Sequence, residues 1–300
     1  MVLTQLIIYS LANLLPIVGS FATDLGDPAD STSSNFVESV SDHVFVHGAT
    51  RRTYKLYMPS NLDESPPLLF MLHGMSMTSQ WASERGFNEL ADQHGFVVAY
   101  PQSLKKTIFL TDYIGMPELG WAAVHEVVRW NSENQDDRYG GNSDLDFLSE
   151  LAKHLQREYG LNSEQTFAAG FSSGGEMSYA LVCQAGKIFR GAGIVAGLMR
   201  SDTMDSCAAN KPKSLIHFHG TSDPIAPIDG HKATWFKSDS RSTSAQDSVR
   251  YFAKLNKAVK MEKIEVSENT TAHIYIAEGD GAEVRFYRIK DFIHYWPGTP

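Results

Sequence analysis

Positive charge is in short supply in this chain: 26 Lys and Arg stand against 35 Asp and Glu, for a formal net charge of -9. Nucleic-acid binding needs clustered Lys and Arg to displace counterions from the phosphates, and no such cluster exists, so nucleic acid is excluded as a partner. Nothing in the chain repeats. Charge of either sign is missing from the first 22 residues, which carry an apolar run from Leu6-Ile7-Ile8 to Leu14-Leu15-Pro16-Ile17-Val18. Thr4, Gln5, Ser10, Asn13 and Pro16 interrupt that run and leave it short for a membrane span, so a stable membrane anchor is the weaker reading. Ser20 and Ala22 fit a signal-peptidase site after Ala22, and residues 1–22 read as a signal peptide even though no Lys or Arg lies near Met1. No cysteine lies near that site, which excludes a lipid anchor there. Residues 23–41, rich in Asp and Ser, read as a flexible linker.

Cysteine is nearly absent: Cys183 and Cys207 are the two in 300 residues. In an exported protein such a pair reads as a bridge, worth about 3 kcal/mol for a loop of this length. The expected location is secreted or periplasmic.

Against these absences stands a 42% apolar content, enough for a large core in one domain over residues 42–300. Residues 44–46 and 53–57 read as an opening antiparallel pair. Residues 68–72 and 96–100 are short continuous apolar runs, the pattern of strands covered on both faces by helices. Residues 88–94 read as helix. Apolar residues at 147, 148, 151, 152 and 155 share one helical face over 145–159, and Gly160 stops that helix. Strands follow at 166–169, 193–196 and 214–218, with helices at 173–183 and 245–256. Residues 272–276 and 283–289 flank Gly279-Asp280-Gly281, a hairpin turn. Strands alternating with helices predict an α/β fold with a doubly wound, mostly parallel sheet and helices on both faces. Ligands on such sheets bind beyond the carboxyl ends of the strands.

At one such end stands Gly170-Phe171-Ser172-Ser173-Gly174-Gly175. A nucleophile elbow wants glycine two before and two after the serine; Ser172 satisfies this, whereas Ser173 would have Phe171 at the first position. A serine attacks an ester only with a base to take its proton and a carboxylate to orient that base. In the chain order serine, acid, histidine, the next carboxylate at a strand end is Asp223, and His294 follows the last strand. Asp229 and Asp202 are fallbacks for the acid, His231 and His273 for the base. The oxyanion would be met by the amide of Ser173 and that of Met75, with Gly74 as second choice, on the loop after Met71-Leu72-His73. His217 and His219 have His-x-His spacing, but no third ligand accompanies them, so no metal is expected and both are read as packed, hydrogen-bonded histidines.

The chain resembles the secreted esterase family named for poly(3-hydroxybutyrate) depolymerase, which also holds feruloyl and acetyl xylan esterases. The resemblance spans about residues 44–298 and rests on motifs in fixed order. These are Arg52-Thr53-Tyr54 with Tyr57 and Pro59, Leu72-His73-Gly74, Gly95 to Pro101, Trp130-Asn131, Asp144 with Phe147, the Ser172 turn with Met177, His217-Phe218-His219-Gly220-Thr221-x-Asp223-Pro224, and His294-x-Trp296-Pro297-Gly298. It implies an α/β-hydrolase fold and a Ser172-Asp223-His294 triad, and it supports pairing Cys183 with Cys207. Where the family carries glycines before the histidine this chain has Asp291-Phe292-Ile293, so a different seat for that loop is expected. The fold normally adds a closing helix where this chain stops at Pro300; a truncated reading frame is one explanation, and in that case an apolar sheet face is left uncovered.

Only about 17 residues, Gly197 to Lys213, separate two strands, too few for a lid domain. An open site suits bulky or polymeric esters. The expected partner is an ester substrate, a plant cell-wall ester or a polyester, acted on by a monomer without cofactor. Trp130, Trp296, Tyr295 and Trp121 are candidates for lining the cleft, with the core as the alternative seat for each. The alternatives in function are a non-catalytic binding protein on the same scaffold and a serine peptidase. Asn269-Thr270-Thr271 is a glycosylation sequon in a eukaryotic host.

Overall fold

Strand β1 (Ser41–His47) turns through Gly48 into β2 (Thr50–Tyr57), and the two pair antiparallel in unbroken register from Ser41↔Leu56 to His47↔Thr50. A computed structural model describes residues 40–109, 124–131, 144–209, 211–230, 242–279 and 281–298. The expectations for the signal peptide, Trp121 and His231 lie outside the described residues. The first strand begins at Ser41 and Val40 packs on the core, so residues 40 and 41, read as the end of the linker, belong to the fold.

The remaining elements follow in order: β3 (Leu68–Leu72), α1 (Ser79–Ser83), α2 (Phe87–His94), β4 (Val97–Pro101), β5 (Lys105–Phe109), β6 (Val124–Val128), α3 (Asp144–Tyr159), β7 (Thr166–Phe171), α4 (Ser173–Gln184), β8 (Phe189–Val195), α5 (Ser201–Asp205), β9 (Ser214–Gly220), α6 (Ala245–Leu255), β10 (Ala258–Ser267), β11 (Thr270–Ala277) and β12 (Val284–Ile289). Ten strands form one sheet in the order β1-β2-β4-β3-β7-β8-β9-β12-β11-β10, while β5 and β6 make a separate antiparallel pair. Pairings from β4 to β12 are parallel. Those of β1, β2, β11 and β10 are antiparallel. The sheet is therefore parallel at its centre and mixed overall.

Period-two alternation in the central strands sends side chains to two cores. Leu68, Phe70 and Leu72 join Phe147, Leu148, Met177 and Phe252 from α3, α4 and α6 on one face. Leu69 and Met71 join Ala82, Phe87 and Leu90 from α1 and α2 on the other. Both faces of β3 and β4 are buried throughout, as continuous apolar runs demand. Gly160, at φ 65°, ends α3 in the left-handed conformation that glycine adopts without steric cost. Cys183 and Cys207 are disulfide-bonded, tying the carboxyl end of α4 to the segment after α5. No helix of the described residues is long and apolar enough to cross a membrane.

Candidate active site

Ser172 stands between β7 and α4 at φ 53° and ψ -118°, a conformation that non-glycine residues rarely adopt. The turn is held by the Ser172 amide donating to Val195 O at 2.9 Å and the Glu176 amide donating to Ser172 O at 3.0 Å. Its tightness explains the flanking glycines. A Cβ on Gly170 would lie 2.3 Å from the Gly174 carbonyl, and one on Gly174 would lie 2.3 Å from Leu72 O. The amino end of α4 is thus pressed directly onto the carboxyl end of β3.

His294 and Asp223 reach the same place from the loops after β12 and β9. His294 Nε2 lies 2.9 Å from Ser172 Oγ, and His294 Nδ1 lies 2.7 Å from Asp223 Oδ2. An ionised carboxylate only accepts, so Nδ1 carries the proton and Nε2 is left to accept from the serine hydroxyl. The amides of Ile225 and Ala226 donate to Asp223 Oδ1 at 2.9 and 2.8 Å. Burial pushes the Asp223 pKa up, but the His294 hydrogen bond, the Ala226 amide and the histidine charge more than offset it and leave it below the ordinary carboxylate value.

The two loops share hydrogen bonds. Thr221 N donates to Ile289 O, Ser222 N to Phe292 O at 3.1 Å, and Asp291 N to Thr221 Oγ1 at 2.9 Å. A Cβ on Gly220 would meet Phe292 O at 2.1 Å, so the glycine admits the Asp291-Phe292-Ile293 backbone into contact.

On the opposite side, Gly74 permits the chain to leave β3 against Phe171, whose Cδ1 a Cβ would approach to 2.9 Å. The loop carrying Met75 is held by Ser76 N donating to Val128 O at 2.8 Å and Met77 N donating to Gly74 O at 3.2 Å. Ser173 begins α4, where first-turn amides have no intrahelical acceptor. Its side-chain oxygen is buried without a hydrogen-bond partner.

The aromatic expectations need correction. Trp130 and Trp296 are each 3% exposed and belong to the core instead of a cleft. Trp130 donates from Nε1 to His73 O at 2.8 Å and lies against the His73 ring. Trp296 packs edge-on against Trp81, Phe87 and Phe171. Tyr295, in contrast, is 59% exposed beside His294. Of the fallbacks, Asp202 pairs with Arg200, Asp229 is exposed on the loop beyond Asp223, and His273 lies on β11 facing Phe286.

The family model described as Esterase PHB depolymerase matches residues 52–265. The chain belongs to that family. Ser172 and Asp223 fall within the match and His294 lies beyond its end. A bifunctional acetylxylan esterase/xylanase from Neocallimastix patriciarum is 27% identical over 190 residues, 63% of this chain and 24% of the relative. A protein named "Probable feruloyl esterase C" from Aspergillus oryzae is 28% identical over 191 residues, 62% of this chain and 60% of the relative. The chain thus spans less than two thirds of the length of these relatives. The solved structure of an acetyl xylan esterase from Aspergillus awamori shares the fold, with a TM-score of 0.58 over 86% of this chain and 95% of that one at 15% identity. The fold is that of an α/β-hydrolase.

In this member of the Esterase PHB depolymerase family, several residues that hold the site gave no local signal of that role. Arg52 is fully buried on β2, over the Phe147 ring, and donates to Asp144 Oδ1 at 2.6 Å. Asp144 Oδ2 accepts from Asn131 N at 2.6 Å, which fixes the segment carrying Trp130. His73 donates from Nδ1 to Gly74 O, and its Nε2 accepts from the Ser103 amide and the Gln102 side chain. Burial lowers the His73 pKa to about 4, so this ring is neutral. Arg52 and Asp144 lie 92 positions apart, so only the folded chain reveals their pairing. Among the described residues no three His, Cys, Asp or Glu side chains gather as a metal site.

Proposed function

We propose that the protein is a serine carboxylic-ester hydrolase acting through an acyl-enzyme. One observation carries this reading: the hydrogen-bonded line Ser172–His294–Asp223, mounted on a strained strand-to-helix turn at the carboxyl ends of β7, β9 and β12. Ser172 Oγ attacks the ester carbonyl carbon while His294 Nε2 takes the hydroxyl proton. The imidazolium that forms is stabilised by Asp223, and the same proton passes to the departing alkoxide as the C–O bond breaks. Water, deprotonated by His294, then attacks the acyl carbon; the bond to Ser172 Oγ breaks, Oγ takes the proton back from His294, and the acid leaves. The amides of Ser173 and Met75 meet the oxyanion, and Ser173 therefore serves through its backbone.

Acyl and alcohol parts are proposed as bulky or polymeric, of the feruloyl or acetyl xylan type or of the polyester type. Family membership and the exposed position of Tyr295 support this. Export is proposed as well, supported by the Cys183–Cys207 bridge, since disulfides persist in oxidising compartments.

Ser172→Ala should lower ester turnover by at least about a thousandfold, while Ser173→Ala keeps most activity. Labelling by an organophosphonate followed by peptide mapping should place the adduct on Ser172. An adduct on Ser173, or full activity of Ser172→Ala, refutes the assignment. Rates on methyl ferulate, acetylated xylan, poly(3-hydroxybutyrate) and short p-nitrophenyl esters would separate the substrate classes.

A further inference from the structure

Three buried polar side chains outside the triad form a continuous line that ends at its acid. Tyr179 OH lies 2.7 Å from His217 Nδ1, His217 Nε2 lies 2.9 Å from His219 Nδ1, and His219 Nε2 lies 2.7 Å from Ala226 O. A carbonyl oxygen only accepts, so His219 must carry its proton on Nε2. Its Nδ1 must then accept from His217 Nε2–H, and His217 Nδ1 must accept from the Tyr179 hydroxyl. Every donor therefore points toward the loop after β9. Each ring nitrogen is engaged, and two neutral rings satisfy every partner in the line without a second proton. Burial acts in the same direction, lowering the pKa of both histidines.

Ala226 is the junction. Its carbonyl receives the His219 proton, and its amide donates to Asp223 Oδ1 at 2.8 Å. His219 Nε2 also stands 3.6 Å from Asp223 Oδ2, the oxygen that accepts from His294. The line starts on α4, two turns beyond Ser172, and crosses the core beside Phe286 and Phe252. It ties the helix that presents the serine to the loop that presents the carboxylate, by a route that does not pass through His294.

We propose that Tyr179, His217 and His219 are positioning residues for the Asp223 carboxylate. The proposal rests on the reading of Asp223 as the triad acid. Without the line the Ala226 carbonyl loses its donor on β9, and the peptide whose amide meets Asp223 Oδ1 is held less firmly relative to His294 Nδ1. The effect belongs to the chemical step, because all three side chains are buried away from the surface.

The test compares kcat and KM on a soluble p-nitrophenyl ester for His219→Leu, His219→Gln, Tyr179→Phe and Asp223→Asn, each checked for folding by near-ultraviolet circular dichroism. His219→Leu should lower kcat by about 10- to 100-fold at unchanged KM. His219→Gln, which keeps one donor and one acceptor, should recover kcat to within about fivefold of the parent. Tyr179→Phe, which deletes a single oxygen at the far end, should lower kcat by about two- to fivefold. A folded His219→Leu with parental kcat, or a Gln variant no better than Leu, overturns the proposal. If the Leu variant does not fold, a parental kcat in Tyr179→Phe overturns it. Asp223→Asn separates the two readings: a loss below about tenfold sinks the triad assignment itself. A loss of several orders of magnitude beside a fully active His219→Leu sinks only the positioning role.

Discussion

Gly174 is among the tightest points of the site. A methyl group there would stand 2.3 Å from Leu72 O and 2.7 Å from His73 O, backbone atoms of the last residue of β3 and of the one after it, which lead to the Met75 loop. Gly174→Ala must therefore push α4 away from β3 and separate Ser173 from Met75. The expected outcome is a loss of more than about 3 kcal/mol in urea unfolding, with ester turnover down at least tenfold in any folded fraction. A variant with parental stability would mean that the turn is looser than its contacts indicate. The same crowding made Ser172 legible in the sequence, because glycine spacing is a direct record of where a backbone cannot carry a side chain. Trp130 and Trp296 were not legible in this way. A tryptophan beside a motif has the same letters whether its ring faces solvent or core, and here the His73 carbonyl and the Phe171 cluster decide.

Between elements, the decisive contact is the ion pair joining β2 to the start of α3. Arg52 is fully buried and Asp144 is 1% exposed, so removing one partner leaves a charge in the core. Asp144→Asn should cost about 3–5 kcal/mol and lower the melting temperature by about 10 °C. Replacing both partners with apolar residues should cost less than either single change. Calorimetry on the two singles and the double checks this, and additive losses would show that the pair is not coupled. The central strands could be read from sequence because burial on both faces leaves continuous apolar runs. Strand β10 could not. Most of its residues are exposed, with Val259 at 63% and Met261 at 50%, and Lys260–Glu262 and Lys263–Glu265 ion pairs run along it. An edge strand with no buried face has no alternation to read, and its charges discourage pairing with another chain. The two-stranded β5–β6 element is not legible either, because it forms a separate pair outside the sheet whose central strands show as continuous apolar runs.

At the scale of the molecule, three neutral imidazoles are enclosed in the core: His73, His217 and His219. Burial lowers the folded pKa of each below 6.5, so at mildly acidic pH the unfolded chain binds more protons than the folded one. Their contribution is intact above about pH 6.5 and is lost progressively as pH falls; for His73 the loss is complete near pH 4. That residue alone accounts for about 3 kcal/mol. The urea midpoint should drop between pH 7 and pH 4.5, and less steeply in His73→Gln, which retains an acceptor; equal drops would remove His73 as a cause. The shared hydrogen bonds between the Asp223 and His294 loops bear on how such a protein can be re-engineered. With Phe292 O against Gly220 and Asp291 N on Thr221, neither loop has a shape of its own to transplant. A graft that exchanges only one of them brings in a surface moulded to an absent neighbour. Libraries aimed at new specificity should therefore recombine residues 220–226 and 290–295 as a single cassette.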